Sequence, residues 1–427
     1  MILVDMIVAL ALGAIFIITI AESSLGARDL FNRARDRQNL IDSFRSGDAR
    51  SSAAIWYGND RLETNAATGS ISFREVQAYP YVDLKETAGT PLCSPDFLHG
   101  NDKAQVSIIP ISLPMSKALP LTDLQVRDGI AYVSADSSTA SDPDLLIFDI
   151  HDQNDPALLS SINTGPGISA IAIAGRRIYA AADSAAAQLH VIRLDSLTSP
   201  ALEARFKLPL PYATATAPTA DSIFYGSGKI YLGTEKWDGD ELDIIDVSDP
   251  AQLSKIGGFE TGTKVNGLFE RNGTAYAAAA DQSQLRAIDV RDPSNPQLLK
   301  AFAPSGWQRQ EGQVIDYFED ALSFGRTSGG FDIPTDPEAF SWATTSTASL
   351  VNPVSANDPG GIYGMIADRS HIFIGTRQAG KEFQIFNRTL SASTTYSLPA
   401  SVQSMTCDND SIYALGRSSP LIYQITF

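Results

Sequence analysis

The chain has 427 residues, 44% of them hydrophobic, which supplies a substantial core and excludes gross disorder. Its formal net charge is −17 and its pI near 4.6, so it lacks the basic face that nucleic-acid binding requires. Two cysteines exclude a disulfide-dense scaffold, and 31 Gly and 23 Pro exclude a collagen-like or Pro-rich fibre.

Residues 1–47 stand apart from the rest of the chain. Between Met1 and Ala21 the only charge is Asp5, and Met6 to Ala21 is an uncharged run. As a helix, residues 1–21 span roughly 31 Å, close to the thickness of a bilayer core. Over 22–47 the apolar residues Ala27, Leu30, Phe31, Ala34, Ile41 and Phe44 recur at helical spacing, with Arg and Asp on the other face. Gly47 is a natural stop. One long N-terminal α-helix over 1–47 is therefore expected, with 1–21 as membrane or filament core and 22–47 amphipathic. No Lys or Arg precedes Arg28, against a secretory signal peptide. Residues 1–47 hold five Arg and five acids, so the whole −17 falls on the remainder.

Asp5 is open to two readings. A carboxylate near a helix N-terminus is stabilised by the helix dipole and by snorkelling to water. A charge in an apolar segment also needs a partner when buried. The α-amino group of Met1 on a neighbouring copy supplies one, and that contact would fix the register of an assembly.

This pattern resembles the N-terminus of a mature type IV pilin. Met1-Ile-Leu-Val-Asp5-Met-Ile-Val-Ala-Leu follows its apolar start with an acid at position 5, although Met stands where Phe is usual and Asp where Glu is usual. The resemblance implies a homo-oligomeric helical filament built through residues 1–47. It also implies passage through the inner membrane before assembly, methylation, and an extracellular or cell-surface location, with adhesion as a further role.

Beyond residue 120 one unit recurs. Its first half reads as two strands around a tight turn, as at Asp128-Gly129 and Asn272-Gly273, the pairs that favour type I′ hairpins. Its second half reads as a strand, an Asp-Pro turn and another strand, as at Asp149 with Asp155-Pro156, Asp246 with Asp249-Pro250, and Asp289 with Asp292-Pro293. The aromatic of the second strand falls at Tyr132, Tyr179, Tyr231, Tyr276, Phe324, Phe373 and Tyr413, at intervals of 40 to 52 residues. A four-stranded unit of that period signals a mainly β fold, a β-propeller over 106–427. Seven blades are expected, with eight as the alternative because Val106-Ser-Ile-Ile-Pro-Ile also reads as an inner strand. The last unit has room for three strands, and Ala118–Leu121 is the expected source of its fourth. The unit resembles the LVIVD repeat, most clearly at Asp246 and Asp289. Residues 48–105 fit neither part and read as a collar or linker with short strands.

Catalytic chemistry is hard to find. There is no Gly-Lys-Ser/Thr phosphate loop, no His-Glu-x-x-His and no Cys-x-x-Cys, and the four histidines fall in different units. No catalytic set and no cofactor is expected. Asp238, Asp240, Glu241 and Asp243 form a Ca²⁺ candidate without EF-hand spacing, for which a solvated hairpin tip is the preferred reading. Asn272, Asn387 and Asn409 head Asn-x-Ser/Thr triplets. If residues 118–121 complete the last blade, Cys93 reaches the sector of Cys407, and a Cys93–Cys407 disulfide is expected in an oxidising exterior. The reading is a filament subunit displaying an acidic propeller. The alternatives are a monomeric membrane-anchored propeller that binds a ligand, and a propeller enzyme.

Overall fold

A computed structural model describes residues 54–57, 60–65, 70–75, 97 and 106–427, apart from 138, 140, 303–310, 319–320, 328–330, 335–349, 352–360 and 388–392. The expected N-terminal helix, with Met1 and Asp5, and also Cys93, lie outside the described residues. Among the described residues there is one 3-10 turn, Pro250–Gln252, no α-helix, and no helix long and apolar enough to cross a membrane.

The chain divides into two units, Met1–Tyr81 and Val82–Phe427. The first contains an antiparallel three-stranded sheet of Ala54–Tyr57, Asp60–Asn65 and Ser70–Glu75. The second is a β-propeller. Its inner strands are Leu121–Arg127, Ile168–Ala174, Ala220–Gly226, Val265–Arg271, Gly312–Phe318, Ile362–Ala367 and Val402–Asp408, and each opens a four-stranded sheet. We number these sheets 1 to 7 in that order. Each inner strand packs beside the next, and that of sheet 7 returns to that of sheet 1. Six sheets have full ladders. In sheet 5 the third strand, Phe331–Pro334, pairs over two residues with each neighbour.

Local chemistry explains the unit. The turn between inner and second strands needs positive φ, which Asp128 and Gly129 (49° and 69°) and Asn272 and Gly273 (52° and 78°) supply. The seven aromatics of the second strands are all buried. Alanines flank them, as in Tyr179–Ala182 and Tyr276–Ala279, and let neighbouring sheets approach closely. Outer strands face solvent, and Ala157–Ile162 and Gln297–Phe302 carry the exposed Leu158 and Leu298. The motif aspartates act in turns: Asp149, Asp246 and Asp289 each accept the backbone N–H two residues on.

The expectation that Ala118–Leu121 closes the ring is corrected. Sheet 7 takes its outer strand from Ser107–Ser112, whose six residues pair with Leu421–Thr426. Leu121 instead begins the inner strand of sheet 1. The same finding removes Val106–Ile111 as an eighth inner strand. Pro110 is tolerated there because an outer strand needs no second ladder, while Ile111 is fully buried under sheet 7. Upstream, Phe97 is buried against Phe373 and Phe427, and its N–H donates to Asp368 at 3.0 Å. The propeller body thus includes a residue before position 106.

Candidate functional site

The inner strands surround a channel enclosing about 650 Å³. A local irregularity, repeated seven times, shapes its mouth. Each inner strand carries a β-bulge just after its first residue, which leaves Thr122-Asp123, Ser169, Asp221, Asn266, Gln313, Tyr363 and Gln403 out of register in sheets 1 to 7. A bulge re-aims a side chain away from regular alternation. Here every re-aimed residue is polar, and all of them line the channel.

A second ring forms where the second strands end. In each sheet the residue after that strand donates its N–H to the carbonyl just before the inner strand: Asp136 to Pro120, Asp183 to Gly167, Glu235 to Thr219, Ala280 to Lys264, Thr327 to Glu311, Arg377 to Gly361 and Arg417 to Ser401. The seven positions are equivalent by backbone geometry, but their side chains are not. Sheets 1–3 supply three carboxylates, sheets 4 and 5 an alanine and a threonine, and sheets 6 and 7 two guanidinium groups.

Electrostatics follow the same division. Asp136 is exposed at the rim, but partial desolvation there raises its carboxyl above the usual range, and Asp183 adds to the shift. Burial likewise raises Asp221, with Glu235 and Asp183 pushing the same way, although its Oδ1 meets Lys264 Nζ at 2.7 Å. Asp123, raised by burial, accepts from Ser404 Oγ (2.6 Å), Ile171 N and Leu124 N, tying sheet 1 to sheets 7 and 2. Across the mouth, burial lowers Arg377 and Arg417 lowers it further. Its Cζ lies 3.2 Å from the centre of the Tyr363 ring, and one of its amino groups donates to Gln403 Oε1 at 2.9 Å. Its Nε is buried without a hydrogen-bond partner.

The four acids of the Ca²⁺ candidate serve separate contacts. Glu241 is fully buried and accepts from Thr261 N and Gly262 N. It occupies the position before the third strand held elsewhere by Asp144, Gln188 and Glu382, which bind Thr164 N, Leu208 N and Leu398 N in the same way. Asp240 and Asp243 both meet Lys255 Nζ, at 2.8 and 2.5 Å, and Asp238 pairs with Tyr212. Burial first, then Asp240 and Glu241, push the Asp243 carboxyl up to about 7 against the pull of Lys255, whose ammonium stays charged between two carboxylates. The segment is not a solvated tip: the fold buries Glu241 to cap the end of an outer strand and Asp243 against Lys255. Among the described residues no group of three or more His, Cys, Asp or Glu could hold a metal.

Asn272 and Asn409 are exposed at positive φ in inner hairpins, and Asn387 ends a third strand where sheets 1, 3 and 4 have their motif Asp. Cys407 is disulfide-bonded and Cys93 is the chain's one other cysteine, which lies outside the described residues. The bulge ring has no signal in the sequence, since bulges lack a composition of their own. The rim ring has only a positional one, three residues after each second-strand aromatic or one more.

The comparisons agree on the fold. A model of the LVIVD repeat matches residues 237–261, within sheet 3. Virginiamycin B lyase from Staphylococcus aureus is similar at a TM-score of 0.56 and 12% identity, over 76% of this chain and all of that one. The WD40 β-propeller domain of Doa1 gives a TM-score of 0.55 at 10% identity, over 75% of this chain and 97% of that one. The extracellular domain of a one-component system from B. thetaiotaomicron gives 0.52 at 10%, over 75% of this chain and 40% of that one. These likenesses define the class as a β-propeller. No curated protein sequence matches the chain.

Proposed function

We propose that the chain is a displayed binding protein: a seven-bladed propeller head whose channel mouth takes a ligand, carried by an assembling N-terminal segment. The seven-fold bulge is the observation that carries the binding half. A polar side chain turned into the channel at every inner strand suits a polar ligand, and several of these groups also tie neighbouring sheets, as Thr122 does to Ile168 O and Asn266 to Gly312 O. The equivalent contacts in all seven sheets support the blade number. Binding is favoured over turnover because the re-aimed groups are amides, hydroxyls and carboxylates spread round the mouth, and in the hydroxyl–carboxylate pair there, Ser404 with Asp123, the carboxylate is already held by the Ile171 and Leu124 N–H groups.

The display half rests on Asp5 within its uncharged run. Residues 1–47 would pack as a helical filament core after passing through the inner membrane, with the Asp5 carboxylate meeting the amine of Met1 on the next copy. The acidic heads would then face the exterior of the cell, and like charge would keep them apart. Electron microscopy of sheared cell-surface material tests this. Asp5→Ala should abolish filaments while leaving folded chain in the membrane. Normal filaments from that variant would remove the pairing, and filament-free wild-type surfaces would favour the monomeric anchored reading.

A further inference from the structure

We infer that the channel mouth recognises a small zwitterion, a ligand carrying an ammonium and a carboxylate such as a free amino acid or a short peptide. This rests on the binding reading above and names the ligand class for the same site.

The seven rim positions are equivalent in backbone geometry. Their backbones are fixed by the same hydrogen bond, so the fold does not dictate which side chain stands where. Alternating charges would let neighbours pair. Instead Asp136, Asp183 and Glu235 are consecutive, and so are Arg377 and Arg417; of the acids, Glu235 already meets Lys264 Nζ at 3.4 Å, which leaves Asp136 and Asp183 to a ligand. The cost is visible on both arcs: Asp183 raises the Asp136 carboxyl, and Arg417 lowers the Arg377 guanidinium. Charged groups that perturb one another in this way are a feature of functional sites.

The basic arc is also incomplete. Arg377 faces the channel, and among the described residues no carboxylate pairs with it. Its Nε–H is buried and unsatisfied, which is costly unless an acceptor arrives. Tyr363 and Gln403 hold the guanidinium plane, which suits it to receive a carboxylate through a fork of N–H donors. A plain anion would satisfy Arg377 but face the acids of sheets 1–3. A plain cation would suit those acids and leave Arg377 bare. A ligand with both charges satisfies Asp136 and Arg377, the two charged rim residues that line the channel, and about 650 Å³ admits a molecule of that size.

The test is calorimetric titration of the full chain with glycylglycine, with acetylglycine, which lacks the ammonium, and with glycinamide, which lacks the carboxylate. Neutral disaccharides serve as a further probe. Glycylglycine should bind at least about tenfold more tightly than either singly charged analogue, the scale of one charge-assisted contact. Arg377→Gln should bring glycylglycine down to the level of glycinamide. The exposed pair Asp136→Asn and Asp183→Asn should bring it down to the level of acetylglycine. If Arg377→Gln unfolds, Arg377→Lys, which keeps the charge and loses the fork of donors, should weaken glycylglycine without changing glycinamide. Equal binding of acetylglycine or glycinamide, or binding of a disaccharide alone, overturns the zwitterion and leaves the binding reading standing. No heat from any probe, with none of them shifting thermal unfolding, overturns both.

Discussion

Sheets 3 and 7 reach the same four-stranded form by opposite routes. Sheet 3 is one continuous stretch, from Ala220–Gly226 to Ser254–Phe259, and every turn in it is local. Its core includes an ionic knot, with Lys255 between Asp240 and Asp243. Sheet 7 joins the last three strands of the chain to Ser107–Ser112, roughly 300 residues upstream. Apolar side chains hold that junction, with Ile111, Ile422 and Tyr423 all fully buried. The strands of sheet 3 can thus pair through local turns alone, whereas sheet 7 is completed only when the ring closes. Closure over a long loop costs little more entropy than over a short one, but it slows folding.

The largest effect should come from breaking the junction. A chain beginning at residue 118 lacks the closing strand and exposes the edge of Leu421–Thr426. It should lose cooperative unfolding in urea followed by circular dichroism. A chain beginning at residue 106 should unfold cooperatively, with a lower midpoint because it lacks Phe97, a loss on the scale of about 3–5 kcal/mol, and leaves Cys407 without its disulfide. Equal behaviour of the two truncations would mean that the ring closes elsewhere.

Sheet 3 should instead be vulnerable at its ions. Lys255→Met leaves Asp243 buried without its cation and should cost about 3–5 kcal/mol near pH 8. The cost should shrink near pH 5, where Asp243 is protonated. The wild type carries the same sign more weakly. Asp243 has a folded pKa of about 7, raised above the ordinary 3.8. The folded state therefore holds more protons between those values, and this group's contribution to stability declines as pH rises through that window. Asp243→Asn should flatten that part of a urea-midpoint profile. An unchanged slope would assign the pH dependence to other groups.

The smallest effect concerns turn chemistry. Asp246→Ala removes the carboxylate that accepts Ser248 N and should cost about 1 kcal/mol in urea unfolding. A loss above that of Lys255→Met would mean that the motif Asp does more than cap a strand end.

The same contrast explains what can be read from sequence. Sheet 3 is legible because its information is local: the aromatic Tyr231, the strand ending at Asp246 and the turn at Asp249-Pro250 all signal through short-range chemistry. The closing strand is visible as a strand at Val106–Ile111 but is taken for an inner one, because pairing across the chain leaves no local mark of its partner. The buried Glu241 resembles a solvated acid in sequence because its partner, Thr261 N, lies twenty residues away. At the mouth, Asp136 and Arg377 hold equivalent places but share no residue type, so a search for repeats passes over them. Equivalence there lives in the backbone bond, not in the side chain.

Hydrogen exchange of the full chain tests the closed ring most directly. The amides of Ser107–Ser112 that face Leu421–Thr426 should exchange about as slowly as those of Lys229–Thr234 at the centre of sheet 3. Exchange of 107–112 within seconds, while Lys229–Thr234 stays protected, would contradict closure by that strand.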